Sequence, residues 1–524
     1  MNKLLFLNLF VVGLVGFASN RSQAQIFHSI ANREKILIID TLFIKQFQNE
    51  LLTSFYSLNQ NKTAWLNDNG TRRFLLHTLN LCENEGLNAE EFSLQKLQAF
   101  EVKIDSLPDD ALINYDVLLT LQLQKYVGQM SHGKIDPKTL YRDWDLKINV
   151  VDTNAQLLSF QNKDSVSKKI NNLQPNHLVY RRLKTALQRL NSFPEDTINC
   201  IEMLGCINRN EVHRAIIPIK RKLMYWKDLP AATVLDSSYN EETFIAIKKF
   251  QMRHGLLADG VIGSRTLEAL NFSKNRRREQ IIANLERWKW FPRNLGDYYL
   301  IVNIPEYNLK VIKSNDTIVI KSIVVGTVAR RTPILSSTFS MIVLNPTWTV
   351  PPTILEEDLV PSATKKGDYF STRNISIYDA KNNVISRRNW NAAKYKNYRY
   401  VQSPGDDNSL GNVKFNFPNK FSVYLHDTNH RDYFVRTFRS LSSGCVRIEN
   451  PLPLAMYMLN DSKRWSMEKI CEVIASRKTT VVALKQNINI HQWYWTAWMN
   501  NEQQFEFRSD IYNLDEELYE KLRK

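Results

Sequence analysis

The chain has 524 residues, room for three or four domains at the usual ~150 residues each, and is 43% hydrophobic, 23% charged and 11% aromatic. This balance excludes a disordered, collagenous or low-complexity protein, and with 16 glycines and 17 prolines long flexible linkers are not expected. A formal net charge of +16 asks for polyanionic surroundings, for which nucleic acid is the default candidate.

The N-terminus points elsewhere. Met1-Asn2-Lys3 is a short basic start, Leu4 to Phe17 is apolar or small apart from Asn8, and Ser22-Gln23-Ala24 offers a cleavage site. Residues 1–24 therefore read as a secretory signal peptide, the apolar run falling short of the ~20 residues that span a bilayer. No cysteine follows the cleavage site to carry a lipid, and no second run is long enough to cross a membrane. The expected location is the periplasm, where nucleic acid is not a partner. Five cysteines (Cys82, Cys200, Cys206, Cys445, Cys471) leave at least one thiol unpaired within one chain. Cys200 and Cys206 read either as a small-loop disulfide or as two buried thiols, and no spacing gives a Cys-x-x-Cys metal or redox pair.

Residues 25–210 carry helical periodicity, seen in Thr71–Leu79, Tyr115–Tyr126 and Tyr180–Leu190, and read as an all-α scaffold domain without catalytic punctuation. Residues 211–271 form a small unit in which Phe244, Ile247 and Phe250 share a helical face that stops at His254-Gly255. The run Phe250-Gln251-x-x-His254-Gly255-Leu256-x-x-Asp259-Gly260-x-Ile262-Gly263-x-x-Thr266-Leu267 resembles the three-helix peptidoglycan-binding module. These residues mostly build turns and core, so the resemblance speaks to fold more than to binding. Residues 272–296 read as a linker helix with Ile281, Ile282, Leu285 and Trp288 on its apolar face and Lys274 to Arg278 in solvent.

From Tyr298 the pattern turns to β. Tyr299–Ile304, Leu309–Ile312, Ile318–Val325, Phe339–Leu344, Ser422–Leu425 and Thr479–Leu484 are short β-branched or aromatic runs, with Gln492–Trp498 and Gln504–Arg508 behind them. Without regular helices between them they suggest an antiparallel sandwich or barrel over 297–524. The aromatics Trp493, Tyr494, Trp495 and Trp498 read as sheet packing. The β pattern lapses over about 351–403, a polar insertion of a size that often serves as a lid.

The densest chemistry is Tyr424-Leu425-His426-Asp427-Thr428 followed by Ser442-Ser443-Gly444-Cys445-Val446-Arg447. A thiol attacks as thiolate and needs a base or cation beside it, and His426, 19 residues before Cys445, is the candidate base. The other ring nitrogen calls for a holder, either the carbonyl or the carboxylate of Asp427. Gly444 permits a tight turn whose amides, with that of Cys445, form a candidate oxyanion hole. Arg447 is placed either to bind a substrate carboxylate or to brace the loop. Taken alone, one cysteine and one histidine are equally the mark of an inert buried thiol.

The local string, with His-x(18)-Cys, resembles the active site of L,D-transpeptidases of the YkuD type. Asn303-Ile304-Pro305, Val325-Gly326, Thr332-Pro333, Asn345-Pro346-x-Trp348-x-Val350-Pro351-Pro352, Pro404-Gly405-x-x-Asn408-x-Leu410-Gly411 and Lys414-Phe415-x-Phe417-Pro418-Asn419 are similar to the large, YcbB-like branch. The resemblance implies a multidomain α+β protein: a helical scaffold, a peptidoglycan-binding-like module, and a β-sandwich or barrel-like catalytic domain with a capping insertion. It implies a cysteine acyltransferase that forms 3→3 peptidoglycan crosslinks from tetrapeptide stems, through a thioester on Cys445 and with release of D-alanine. Cys445, His426, Asp427 and Gly444 would be catalytic; Tyr424, Trp348, Ser442, Ser443 and Arg447 would contact the stem. Stem carboxylates suit the positive charge, and no cofactor or metal is called for. The chain would work as a monomer beside other wall-synthesis proteins. Two departures stand out: Ser443 where many members have histidine before Gly-Cys, and Asp427 where the large branch often has a small residue. Water or a free D-amino acid as acceptor would give a carboxypeptidase or an exchange enzyme instead, and a non-catalytic wall-binding scaffold is the reading from another class. An ordered lid over 351–403 would favour transfer.

Overall fold

The computed structural model describes residues 35–162 and 165–524, so the expected signal peptide lies outside the described residues. Two compact units emerge: one of residues up to Cys82 with Ala89–Val127 and Asp152–Asn171, the other of Glu83–Asn88, Gly128–Val151 and Asn172–Lys524. The division falls inside the helical region 25–210 and not at its end.

In the first unit the helices Glu50–Leu58, Asn69–Asn80 and Thr153–Phe160 start where Asn49, Asp68 and Asp152 accept from first-turn amides, satisfying donors a helix leaves open. The long helix Asp109–His132, which belongs to this unit as far as Val127, contains the expected Tyr115–Tyr126 segment. Its Asp116 is fully buried and accepts from Ala64 N (2.9 Å), Trp65 N (2.8 Å) and Tyr56 Oη (2.7 Å), which is how a carboxylate is tolerated in an apolar core. Burial still pushes its pKa up to about 6. Arg72 and Glu101 form a buried pair at 3.0 Å that also takes the Tyr115 hydroxyl.

The second unit contains the three-helix module, built from Ile216–Tyr225, Glu241–Arg253 and Ser264–Asn271. Its core unites Ile219, Leu223, Ile247, Phe250 and Leu270 and draws in Ile201 and Ile207, which precede residue 211. The motif residues act structurally. Gln251 donates to Asp259 Oδ1, the Val261 carbonyl and Thr266 Oγ1 and accepts from Gly260 N at 2.8 Å, so one buried amide ties the turn to both flanking helices.

The helix Lys274–Trp290 is buried over most of its length, with Asn275 and Arg276 exposed in its first turn. Lys274 reaches the Phe193 carbonyl (2.9 Å) and Glu195 (2.8 Å), and Arg277 lies between the rings of Phe272 and Phe507. Arg287 pairs with Asp515, whose other oxygen takes the Thr496 hydroxyl at 2.6 Å. Of the run Lys274 to Arg278 expected in solvent, Lys274 and Arg277 are thus buried by partners distant in the chain, while Arg276 is exposed.

The region from Tyr298 onward is a curled, mixed sheet rather than an antiparallel one. Across it run Trp144–Asp145, Ile334–Thr338, Asn489–Trp493, Tyr298–Asn303, Asn308–Lys313, Asp316–Gly326, Val446–Ile448, Leu425–His426, Val413–Asn416, Met341–Leu344 and Thr480–Ala483, with Ser440–Ser442 beside Asp316–Gly326. Parallel pairings join Asn489–Trp493 to Tyr298–Asn303 and Leu425–His426 to Val446–Ile448. The expected strand Gln492–Trp498 is two: the chain leaves the sheet after Trp493, Thr496 binds Asn284, and Ala497–Met499 pairs with Phe505–Phe507 in a separate ribbon. Trp493 stacks on Phe291 at 4.1 Å and meets Trp288 edge-on, so the tryptophan cluster is core packing.

The insertion is ordered. Trp348–Thr349, Arg399–Gln402 and Ile375–Tyr378 form a three-stranded sheet, and a helical segment over 352–365 covers it. Leu359, Ala363, Phe370, Ile377, Trp390 and Tyr400 give this cap a hydrophobic core of its own. All five cysteines are free; Cys200 and Cys206 are exposed, neither bonded to each other nor buried. Among the described residues no helix is long and apolar enough to cross a membrane.

Candidate active site

Two short strands set the site. His426 ends Leu425–His426, whose antiparallel partner puts Lys414 opposite it and whose parallel partner puts Arg447 opposite it on the other side. Lys414, His426 and Arg447 therefore form one row across three strands, and a two-residue side-chain repeat sends a row to one face. Cys445 directly precedes Val446, whose amide donates to the Tyr424 carbonyl at 3.2 Å, so the thiol enters beside that row. Cys445, His426, Arg447, Tyr424, Trp348, Ser442, Ser443 and Gly444, the residues singled out by sequence apart from Asp427, border one cavity of about 380 Å³.

Electrostatics keep the pair neutral at rest. Burial lowers His426 to about 3, Arg447 and Lys414 push in the same direction, and the Asp427 backbone opposes them. Burial pushes the Cys445 thiol up, while the Tyr424 backbone and hydroxyl, Lys414 and Arg447 favour the thiolate. Each cation is itself destabilised by burial and relieved by the sulfur's charge. The arrangement is a neutral thiol and a neutral imidazole bordering one cavity, with two cations in place to favour the negative charge on sulfur when the proton moves.

Of the two Asp427 groups that the sequence offers to His426, only the backbone acts on the ring. The carboxylate turns away, neither making the imidazole more cationic nor pointing to solvent: Arg431 pairs with it at 2.6 Å and the Asn412 amide donates to it at 2.8 Å. Asp427 is a buried brace of the strand end.

The nucleophile loop is held from inside. Gly444 has φ +107°, a conformation that a side chain strains. Its carbonyl accepts from Thr332 Oγ1 (2.9 Å), which in turn accepts from Gly326 N (2.9 Å). The Tyr512 hydroxyl accepts from Thr332 N and donates to the Gly326 carbonyl, closing the same seam. Ser442 Oγ donates to the Cys445 carbonyl at 2.6 Å and accepts from Gly444 N at 3.2 Å, so its hydroxyl is used within the loop and not offered to a substrate. The Gly444 amide is engaged there too, which leaves the Cys445 amide as the oxyanion donor of the expected pair. Burial and the neighbouring Cys445 push the Tyr424 hydroxyl's pKa up while Trp348 opposes them, and Lys414 Nζ sits 3.8 Å over its ring.

Sequence reasoning gave no role to Lys414, Thr332, Tyr512 or Arg330. Lys414 and Thr332 stand in the strings that carry the resemblance. Tyr512 reaches its partner from 180 residues away, and nothing local signals it.

Three stretches match known families: residues 50–187 a Scaffold domain, 214–270 a "Putative peptidoglycan binding domain" and 297–465 the L,D-transpeptidase catalytic domain. The sheet continues past that last match, through Thr480–Ala483 and Asn489–Trp493. A "Putative L,D-transpeptidase" of Haemophilus influenzae is 36% identical over 245 residues, which cover 46% of this chain and 49% of that protein. This chain thus spans about half the length of that relative. Solved structures of an L,D-transpeptidase from Xylanimonas cellulosilytica (14% identity, TM-score 0.19, 56% of this chain and 99% of that one) and of one from Stackebrandtia nassauensis (13%, 0.22, 55% and 94%) are also similar. Residues 297–465 are a YkuD-family L,D-transpeptidase catalytic domain, preceded in the chain by a peptidoglycan-binding domain.

Proposed function

We propose that the chain is a cysteine L,D-transpeptidase acting on peptidoglycan outside the cytoplasm, cleaving a tetrapeptide stem behind its third residue and joining it 3→3 to a neighbouring stem. Neutral His426 accepts the Cys445 proton as sulfur attacks the carbonyl of the third-position diamino acid. The Cys445 amide receives the oxyanion; such a donor is typically worth about 2.7–4 kcal/mol in the transition state. The imidazolium returns its proton to the departing D-alanine amine, leaving a thioester. The acceptor amine then attacks the thioester, gives its proton to His426, and the thiol is restored. Cys445 and His426 act in the chemistry, with Gly444 shaping the nucleophile's turn and Asp427 as a brace; Tyr424, Trp348, Ser443 and Arg447 face the stem.

The observation that carries this reading is the single cavity shared by Cys445, His426 and the two cation-bearing strands. The ordered cap favours an amine acceptor over water, because Trp348, Pro351 and Ile354 wall the same cavity. The boundaries read from sequence (scaffold to 210, module 211–271, helix 272–296, catalytic domain 297–524) go with the proposal. The test is intact mass after incubation with a tetrapeptide stem or a carbapenem, beside Cys445→Ala. A covalent adduct on the native chain alone is expected; no adduct on a natively folded protein would overturn the reading.

A further inference from the structure

We propose that Arg330 is a subsite for a free carboxylate of the stem peptide, kept occupied at rest by two carboxylates of the cap. The proposal rests on the transpeptidase reading and deepens it.

Arg330 borders the cavity that holds Cys445 and Arg447. Its carbonyl lies against Gly326, where a Cβ would stand 2.1 Å from the carbonyl oxygen, and its amide donates to Thr327 Oγ1. The guanidinium spends its fork on the cap: Nε donates to Glu357 Oε2 (3.0 Å), Nη1 to Asp358 Oδ2 (2.6 Å), and Nη2 to Asp358 Oδ1 (3.0 Å) and to Glu357. Nη1 also donates to Ser443 Oγ at 2.9 Å, two residues before the nucleophile. One planar cation thus touches both the cap and the loop of Cys445.

The partners differ in commitment. Side-chain exposure is 21% for Arg330 but 55% for Glu357 and 49% for Asp358. Ion pairs this wet add little to stability, so another carboxylate of the same geometry can displace them. Guanidinium recognises carboxylate by bidentate fit, and two adjacent cap carboxylates present what an acidic peptide would present. Arrival of the stem on Arg330 would release Glu357 and Asp358, and with them the segment 352–365 at the mouth.

Competition predicts opposite signs for the two sides of the contact. The experiment measures calorimetric binding of a tetrapeptide stem with free carboxylates, and of the same peptide fully amidated, to full-length protein in a Cys445→Ser background. Removing the cap carboxylates (Glu357→Gln with Asp358→Asn) should tighten the free-acid peptide about fivefold to tenfold, the factor from losing two exposed ion pairs. Arg330→Gln should weaken it about tenfold and leave the amidated peptide unchanged, with Arg330→Lys in between. Equal melting temperatures keep the comparison fair, and the cap substitutions lie on exposed side chains. Shifts in the same direction for both variants, or equal responses of the two peptides, would make Arg330 a structural brace and overturn the proposal. Binding of neither peptide to any variant would overturn it together with the peptidoglycan reading.

Discussion

The nucleophile loop and the cap face one cavity but are held in different ways. The backbone around Gly444 is held by buried hydrogen bonds between neutral groups, Thr332 and Tyr512 each serving two backbone partners. The cap is cohesive through its own apolar core, and its polar tie to the loop runs through half-exposed carboxylates on Arg330. Buried neutral bonds are expensive to leave unmade, while wet ion pairs cost little to exchange. The difference teaches that the loop is built to keep its geometry and the cap to change partners without unfolding.

The largest effect should come from His426→Gln, which removes the base and leaves the loop intact. Thioester formation, followed by mass spectrometry, should fall by about 10²–10⁴; a smaller loss would move the proton acceptor elsewhere. Next, Phe370→Ala removes a ring that packs on Trp390 and Tyr400, at a cost of about 3–5 kcal/mol. Amide exchange should rise in Ile375–Tyr378 and Arg399–Gln402 and stay slow in Val446–Ile448; equal loss in all three would show that cap and sheet are one cooperative body. Thr332→Val should cost about 1–3 kcal/mol, because the buried Gly326 amide loses its acceptor, and should slow acylation about tenfold. The mildest effect is the pH response. With His426 lowered to about 3 and the thiol raised, acylation should be flat from pH 5 to 8, where an ordinary histidine titrates, and climb at alkaline pH. A fall near pH 6.5 would contradict the buried, neutral imidazole. By linkage, the stability held in neutral His426 is complete above its unfolded value of about 6.5 and is lost as pH falls towards about 3.

The parts legible in the sequence are those written locally. The Gly-Cys string, the histidine ending a strand and the turn motif of the three-helix module need only neighbours to be understood. Within the helix Lys274–Trp290, Lys274 and Arg277 pattern with a charged run that reads as solvated, and the groups that bury them come from Phe193 and Phe507, distant in the chain. The antiparallel expectation failed where strands far apart in the chain run side by side, as Asn489–Trp493 does with Tyr298–Asn303. Asp427 reads as a partner for His426 because it adjoins it, yet its carboxylate is taken by Arg431 and the Asn412 amide, which no local pattern announces. Arg330 carried no local signal, since its partners lie about 27 and 113 residues away.

Asp427 also ties two positions into one heritable unit. Gly411 has φ +59°, and a Cβ there would stand 2.4 Å from Asp427 Oδ2. A lineage replacing Gly411 first would evict the carboxylate from Arg431 and disturb the strand that ends in His426. One trimming Asp427 first would make room at 411 and leave the Arg431 charge unanswered. Neither order is neutral, so a change at one position should be found with a change at the other, and a library that varies them singly would misjudge both.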